Sequence, residues 1–227
     1  IDNVVVDYTV AGADYALILS GADNNDNAFG TGDFGGVIDG AFYVPRQNLT
    51  VEIDFNNAAD KNVDEYQEMQ VVVSGGDLAK AITVDLGNAD KDVALDLKSK
   101  PGAKYTVDVD VDNKYTVTFE DALTLDTTYT VTVSGAGYRT VRKNATMAND
   151  VTVKFWNNVK DAEGADYLAG DIVKDNTINI YDLSAVVSYF GRTNDTNAES
   201  KFAKYDLNRD GKIDSKDVAY VLVSWGK

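Results

Sequence analysis

The sequence has no cysteine and no histidine. Without cysteine there is no disulfide, no thiol nucleophile and no thiolate metal site. Without histidine there is no Ser-His-Asp triad, no imidazole base and no ordinary zinc site. Tryptophan is scarce: Trp156 and Trp225 are the only two. Both sit in patterns that suggest core positions, so a flat aromatic platform for sugars is hard to build. Positive charge is short as well, with 21 basic against 37 acidic residues and a net charge of −16. Such a chain repels nucleic acid and anionic membranes and attracts cations. No apolar run approaches the length of a membrane span, and residue 1 starts no signal peptide, so the chain reads as a processed product or an excised fragment. The metal chemistry left open is that of hard oxygen ligands, which suit calcium or magnesium.

What remains is an ordinary folded composition. The 227 residues are 44% hydrophobic and 26% charged, enough for one large domain or two to three small ones with real cores. Residues 1 to about 160 read as strands. In LTVEIDF, Leu49, Val51, Ile53 and Phe55 alternate with Thr50, Glu52 and Asp54. YTVDVDV, YTVTF, TYTVTV and VTVKFW continue the pattern, and Asp112-Asn113 reads as a hairpin turn. Period-two alternation buries one face of a sheet, and many short strands point to a β-sandwich. The Gly/Asp/Asn-rich stretch 21–36 reads as a solvated turn region. A boundary near Gly75-Gly76 would give a β-rich unit 1–75 of unknown role and a β-sandwich 76–160. One continuous β region is the competing division.

Around residue 161 the pattern changes to a polar connector and then to helical spacing. Residues 171–191 and 206–226 align without a gap at an offset of 35. Each copy is a twelve-residue loop followed by a short helix. The second loop places Asp206, Asn208, Asp210, the carbonyl of Lys212, Asp214 and Asp217 at positions 1, 3, 5, 7, 9 and 12, with Gly211 at position 6. Those are the positions from which an EF-hand loop supplies calcium with oxygen, and the Gly allows the turn. The first loop offers Asp171, Asp175, the carbonyl of Thr177, Asn179 and Asp182. Val173 at position 3 cannot ligate, and Asn176 stands at position 6, where it tolerates the left-handed conformation. Two calcium ions are therefore expected, held more strongly at 206–217 and more weakly at 171–182. Position 12 is Asp in both copies, and no helix pattern precedes either loop, so the metal organises a small fold that depends on it. Apolar position 8 suggests that the loops pair through a short β contact. Thr196 and Glu199 form a capping box for a middle helix that buries Phe202.

Paired Asp-rich loops, Asp at position 12, a helix after each loop and placement at the C-terminal end resemble a dockerin over about residues 168–227. Val173 and Asn176 make the first loop more similar to type II than to type I members. The resemblance implies a helical module, 161–227, that binds a cohesin of another scaffoldin or cell-surface protein. It also implies calcium dependence and an extracellular bacterial setting. Type II dockerins often follow a β-sandwich called an X module, which 76–160 resembles. At loop positions 10 and 11 the copies differ, Ile180-Tyr181 against Ser215-Lys216, which implies one binding orientation.

A helical wheel stepped at 100° per residue from Leu183 puts Leu183, Val186, Val187 and Phe190 on one stripe, expected to face the core. Tyr181, Ala185, Ser188 and Tyr189 lie opposite. In the second helix Val218, Val221, Leu222 and Trp225 form the expected core stripe, leaving Ala219, Tyr220 and Val223 outside. Ile180, Tyr181, Ala185, Tyr189, Tyr220 and Val223 are thus the candidate partner face, or a face packed on the β region. The functional expectation is a non-catalytic docking module with the β region as spacer and stabiliser. Two alternatives are a structural subunit of an extracellular surface layer or filament with calcium clamps, and a carbohydrate-binding or hydrolase front domain built on paired carboxylates.

Overall fold

The computed structural model describes residues 4–10, 13–19, 36–38, 41–43, 46–54, 69–86, 92–97, 102–109, 114–156, 166, 169–193, 202–208 and 210–226. Strands β1 (Val4–Val10) and β2 (Ala13–Leu19) pair antiparallel, as do β3 (Gly36–Ile38) and β4 (Ala41–Tyr43). Ten further strands follow: β5 (Arg46–Asp54), β6 (Gln70–Gly75), β7 (Ile82–Asp85), β8 (Asp92–Ala94), β9 (Lys104–Val109), β10 (Lys114–Thr124), β11 (Thr128–Gly135), β12 (Gly137–Thr146), β13 (Val151–Trp156) and β14 (Ala169–Asp171). Helices α1 (Ile180–Ser188) and α2 (Ser215–Val223) close the chain, with a 3-10 turn at Ala203–Tyr205 between them.

The ten strands make two five-stranded sheets, ordered β13-β5-β10-β9-β8 and β14-β12-β11-β6-β7. Alternation produces the interior. Leu49, Val51 and Ile53 of β5 and Tyr115, Val117 and Phe119 of β10 are buried, as are Val71 and Val73 of β6 and Tyr129, Val131 and Val133 of β11. Residues between them along each strand face outward, so two one-sided sheets bury their apolar faces against each other. This is the expected β-sandwich.

The sheets draw strands from both sides of the boundary expected at Gly75-Gly76. β5 pairs antiparallel with β10 and parallel with β13, and β6 pairs with β11. The sandwich therefore begins by residue 46 and crosses that boundary. Ladder hydrogen bonds between residues far apart in sequence, such as Leu49 with Phe119 and Val151, hold both stretches in one unit. Val109, grouped with the inward residues of its run, ends β9 exposed, and Trp156 is also exposed rather than core. The hairpin turn at Asp112-Asn113, Phe55, and the stretch 21–36 apart from Gly36 lie outside the described residues.

The sandwich hands the chain to the loop–helix region through a shared strand. β14 adds to the edge of β12, with Gly137 opposite Asp171 and Tyr138 opposite Ala169. Gly137 has φ +79°, and a Cβ there would run into the carbonyl oxygen of Lys204. Only glycine fits so close a backbone approach. The Tyr138 hydroxyl donates to the carbonyl of Leu207 (3.3 Å), and Thr140 N–H donates to Asn176 Oδ1 (3.0 Å). Ahead of β14, Asp166 is clamped to the sandwich. Its carboxylate accepts from Lys143 Nζ (2.8 Å) and Trp156 N–H (2.9 Å), and Arg139 Nη2 donates to its carbonyl (2.7 Å). The apolar core runs on without a break, from Tyr138 and Ala169 to Ile172, Ile178, Leu207, Ile213 and Val221.

Candidate metal centres and docking face

Asp171 is both the last residue of β14 and position 1 of the first loop. Its Oδ1 accepts from Asp175 N–H (3.1 Å) and its Oδ2 from Asn176 N–H (2.9 Å). Asn176 takes φ +64°, the left-handed conformation that position 6 requires. Asp175 Oδ1 accepts from Thr177 N–H (2.9 Å). One carboxylate oxygen each of Asp171, Asp175 and Asp182 lie within 4.8 Å of one another. Burial raises the Asp171 carboxyl above the usual carboxylate range, and the charge of Asp182 adds to this against the hydrogen bonds from Asn176 and Asp175. Three converging carboxylates, one in the sandwich sheet and one on a helix, fit a hard divalent cation and would repel one another without it.

The second loop repeats this frame. Gly211 (φ +84°) donates to Asp206 Oδ2 at 2.9 Å, as Asn176 does to Asp171. Asp210 Oδ1 accepts from Lys212 N–H (3.1 Å). Asp206 and Asn208 are buried, Asp210 and Asp214 half-buried, and Lys212 exposed. The chemistry around Asp210 differs from that around Asp175: Asp210 Oδ2 accepts from Asn208 Nδ2 (3.0 Å) and is paired with Lys216 Nζ (2.6 Å). Although partial burial works the other way, these bonds, led by Lys216, hold the Asp210 carboxyl below the usual range.

Position 12 explains why aspartate stands there in both copies. Asp182 Oδ1 accepts from the N–H groups of Ile172 (2.8 Å) and Val173 (2.9 Å), and its Oδ2 accepts from Asn179 (2.9 Å). Asp217 does the same with Leu207 (2.7 Å), Asn208 (3.2 Å) and Asp214 (2.7 Å). Each carboxylate is fully buried. It joins a capping box in which Asn179 or Asp214 is the N-cap, so the loop's last ligand position also begins the helix. Burial, the largest influence, raises the Asp217 carboxyl despite its three N–H donors.

The two loops do not pair with each other as a β contact at position 8. Each is tied instead to the end of the other copy's helix. Gly191 N–H donates to the Ile213 carbonyl and Gly226 N–H to the Ile178 carbonyl, both at 2.8 Å. Ile178 and Ile213 are fully buried beneath these bonds. The one bridge described here joins Thr193 and Lys212. Thr196 and Glu199, the expected cap of a middle helix, lie outside the described residues. Phe202 is half-buried and precedes the 3-10 turn, which packs its Tyr205 on Tyr189 (ring centroids 4.2 Å). Burial and a hydrogen bond to Tyr189 push the Tyr205 hydroxyl up to about 12.

The helix faces are rotated from the expected ones. Because Asp182 and Asp217 must point into the loops, the residues three and four places on must point inward too. Val186, Tyr220 and Val221 are buried, and Ala185 and Tyr189 are half-buried against the core. Tyr189, Ala185 and Tyr220, read as partner residues, therefore pack inside. Val187, Phe190, Leu222 and Trp225, read as core, are exposed by 52, 56, 53 and 44%. Of the residues expected in the core stripes, Val186 and Val221 are fully buried and Leu183 and Val218 are half-buried against the core, as expected. At the offset of 35 the exposed residues match pairwise, Val187 with Leu222 and Phe190 with Trp225. Both helices thus carry the same apolar stripe on the outside. Ile180, Tyr181 and Val223 are exposed as expected. The signal for the outward residues is the position-12 Asp of each copy, whose buried carboxylate fixes the inward face of its helix.

Residues 169–222 match the family model described as the dockerin type I domain. The C-terminal loop–helix unit is a dockerin domain, and dockerin domains in general bind calcium. Among solved structures the chain is similar to two type II cohesin-X-dockerin complexes from Acetivibrio cellulolyticus. In the Coh3ScaB-XDoc_M2ScaA complex, a C-terminal interface mutant, the match covers 80% of this chain and 96% of that chain at 19% identity and a TM-score of 0.48. In the Coh3ScaB-XDoc_M1ScaA complex, an N-terminal interface mutant, coverage and identity are the same and the TM-score is 0.46. No curated protein matches the chain.

Proposed function

We propose that the chain is a non-catalytic, calcium-dependent docking module that binds a type II-like cohesin and anchors a scaffoldin or enzyme outside the cell. The observation that carries this reading is the apolar stripe repeated on the outer faces of α1 and α2, on a frame built from two oxygen-rich loops. A contiguous exposed apolar face on a small acidic unit is the mark of an interaction site. The residues proposed to meet the partner are Val187, Phe190, Leu222 and Trp225, flanked by Ile180, Tyr181 and Val223. Phe190 and Trp225 have the size and chemistry of hot-spot anchors.

Two calcium ions complete this frame. Asp171, Asp175, Asn179, Asp182 and the Thr177 carbonyl hold one. Asp206, Asn208, Asp210, Asp214, Asp217 and the Lys212 carbonyl hold the other, more strongly because of the fourth carboxylate. The sandwich from residue 46 to 156 is an X-module-like stabiliser, joined to the dockerin through β14 and the Asp166 clamp. The stripe is alike in both copies while Ile180-Tyr181 and Ser215-Lys216 differ, so the flanking residues set one preferred orientation.

The test is titration of the whole chain against a panel of type II and type I cohesins, with calcium and with chelator. Binding to a type II cohesin that chelator abolishes is the expected result. Failure to bind any cohesin in calcium overturns the reading, and hydrolysis of a polysaccharide by the chain overturns its non-catalytic part.

A further inference from the structure

Lys216 occupies position 11 of the second loop and the first turn of α2, where the helix end is positive and a cation is poorly placed. It reaches back over the loop to Asp210, with Nζ 2.6 Å from Oδ2. In the first loop Tyr181 stands at the matching position, and Asp175 converges with Asp171 and Asp182. The two loops therefore differ in a way that the ligand count does not express. We infer that Lys216 is a tethered cation that occupies the Asp210 carboxylate until calcium displaces it. It holds the affinity of the second loop below the value that four carboxylates imply, and it frees an ammonium group on the outer face of α2 when metal enters. Lys216, Ala219 and Val223 lie on one exposed stripe of that helix. The freed charge thus stands beside apolar residues proposed to meet the partner, where an acidic group would meet it. This inference rests on the calcium reading proposed above.

Calcium titration of the whole chain, followed by amide NMR, tests it loop by loop. Gly211 N–H and Asn176 N–H each bond the position-1 carboxylate of their own loop, so their shifts report the two sites separately. The variant K216Q is expected to tighten binding at Gly211 by about three-fold, the scale of a partly exposed ion pair, with no change at Asn176. K212Q, which removes an exposed side-chain charge from the same loop and keeps the backbone N–H bond to Asp210 and the backbone carbonyl, serves as the control for general electrostatics and is expected to change Gly211 less. Equal affinity at Gly211 in K216Q and the parent chain, or equal effects of K216Q and K212Q, overturns the inference while leaving the calcium reading intact. Absence of any calcium-dependent shift at Gly211 in the parent chain overturns both.

Discussion

The two halves of the dockerin domain share a frame and differ in what they hang on it. Each has a position-12 aspartate bonded to three backbone N–H groups, an N-cap side chain at position 9, and a closing glycine that reaches the other half. These features are backbone chemistry, and duplication preserves them because either copy fails without them. The differences lie in side chains facing the metal or solvent: Val173 against Asn208, Tyr181 against Lys216, Ile180 against Ser215. The first loop has apolar Val173 at position 3 and grows directly out of the sandwich sheet at Asp171. The second has Asn208 at position 3, and it meets the sandwich through Leu207 and, just ahead of the loop, Lys204. One loop thus continues a strand of the sheet, and the other meets the sandwich through contacts outside its ladder.

The strongest challenge to this comparison removes the shared frame. D182A and D217A each remove the acceptor of three backbone N–H groups, some buried and some half-exposed, and each is expected to cost about 2–3 kcal/mol. Denaturant unfolding followed by near-ultraviolet circular dichroism measures it. If the halves are truly equivalent in frame, the two losses agree, and a large gap between them breaks the equivalence.

A second challenge separates the halves by their attachment to the sandwich. G137V drives a side chain into the Lys204 carbonyl and disturbs the β12–β14 pairing, and is expected to destabilise the dockerin by about 2 kcal/mol. Calorimetry should show the first loop losing more calcium affinity than the second, because Asp171 is part of the disturbed ladder. Next in size is the outer stripe. F190A and W225A are expected each to weaken cohesin binding by about 1–2 kcal/mol with stability unchanged within about 0.5 kcal/mol. The difference between them in isothermal titration measures how far the partner prefers one half.

The smallest effect is in pH. Burial raises Asp171 in one half and Asp217 in the other. In calcium-free protein the folded state then binds more protons than the unfolded state just above the ordinary carboxylate range. Stability contributed by these groups is present below that range and is lost as pH rises through their folded values. Asp210, lowered, acts in the opposite sense: its contribution is present above the ordinary range and is lost on acidification. Calcium-free thermal melts between pH 4 and pH 7 should therefore show the dockerin strengthened by mild acid. With saturating calcium the trend should reverse, because protons then compete with the metal.

Much of this organisation was legible in the residues. Alternation located the inward faces of β5, β10 and β11, and the gap-free repeat located both loops, their turn positions and their helices. Other features depend on packing that periodicity does not encode. Nothing local in LTVEIDF says that Leu49 lies beside both Phe119 and Val151, so the unit boundary fell in the wrong place. Trp156 follows inward-facing Phe155 and therefore turns outward, against the habit of reading tryptophan as core. Each expected core stripe is split, with Leu183, Val186, Val218 and Val221 facing in and Val187, Phe190, Leu222 and Trp225 facing out, because hydrophobicity alone cannot choose between two apolar faces. Asp182 and Asp217 choose, because each carboxylate is held inward by backbone N–H groups of its own loop. Position 8 gave a true signal of burial but a wrong partner, since its carbonyl meets a glycine from the far helix rather than the opposite loop.

That crossing has a consequence for the integrity of the whole tail. Gly226, one residue short of the end of the sequence, supplies the donor that closes the first loop at Ile178, while Gly191 closes the second at Ile213. Neither copy contains the group that completes it, so cutting the duplicated segment in two should yield a pair of incomplete fragments rather than two small working modules. A deletion as short as the last two residues acts on the opposite end of the domain, at the loop that begins it.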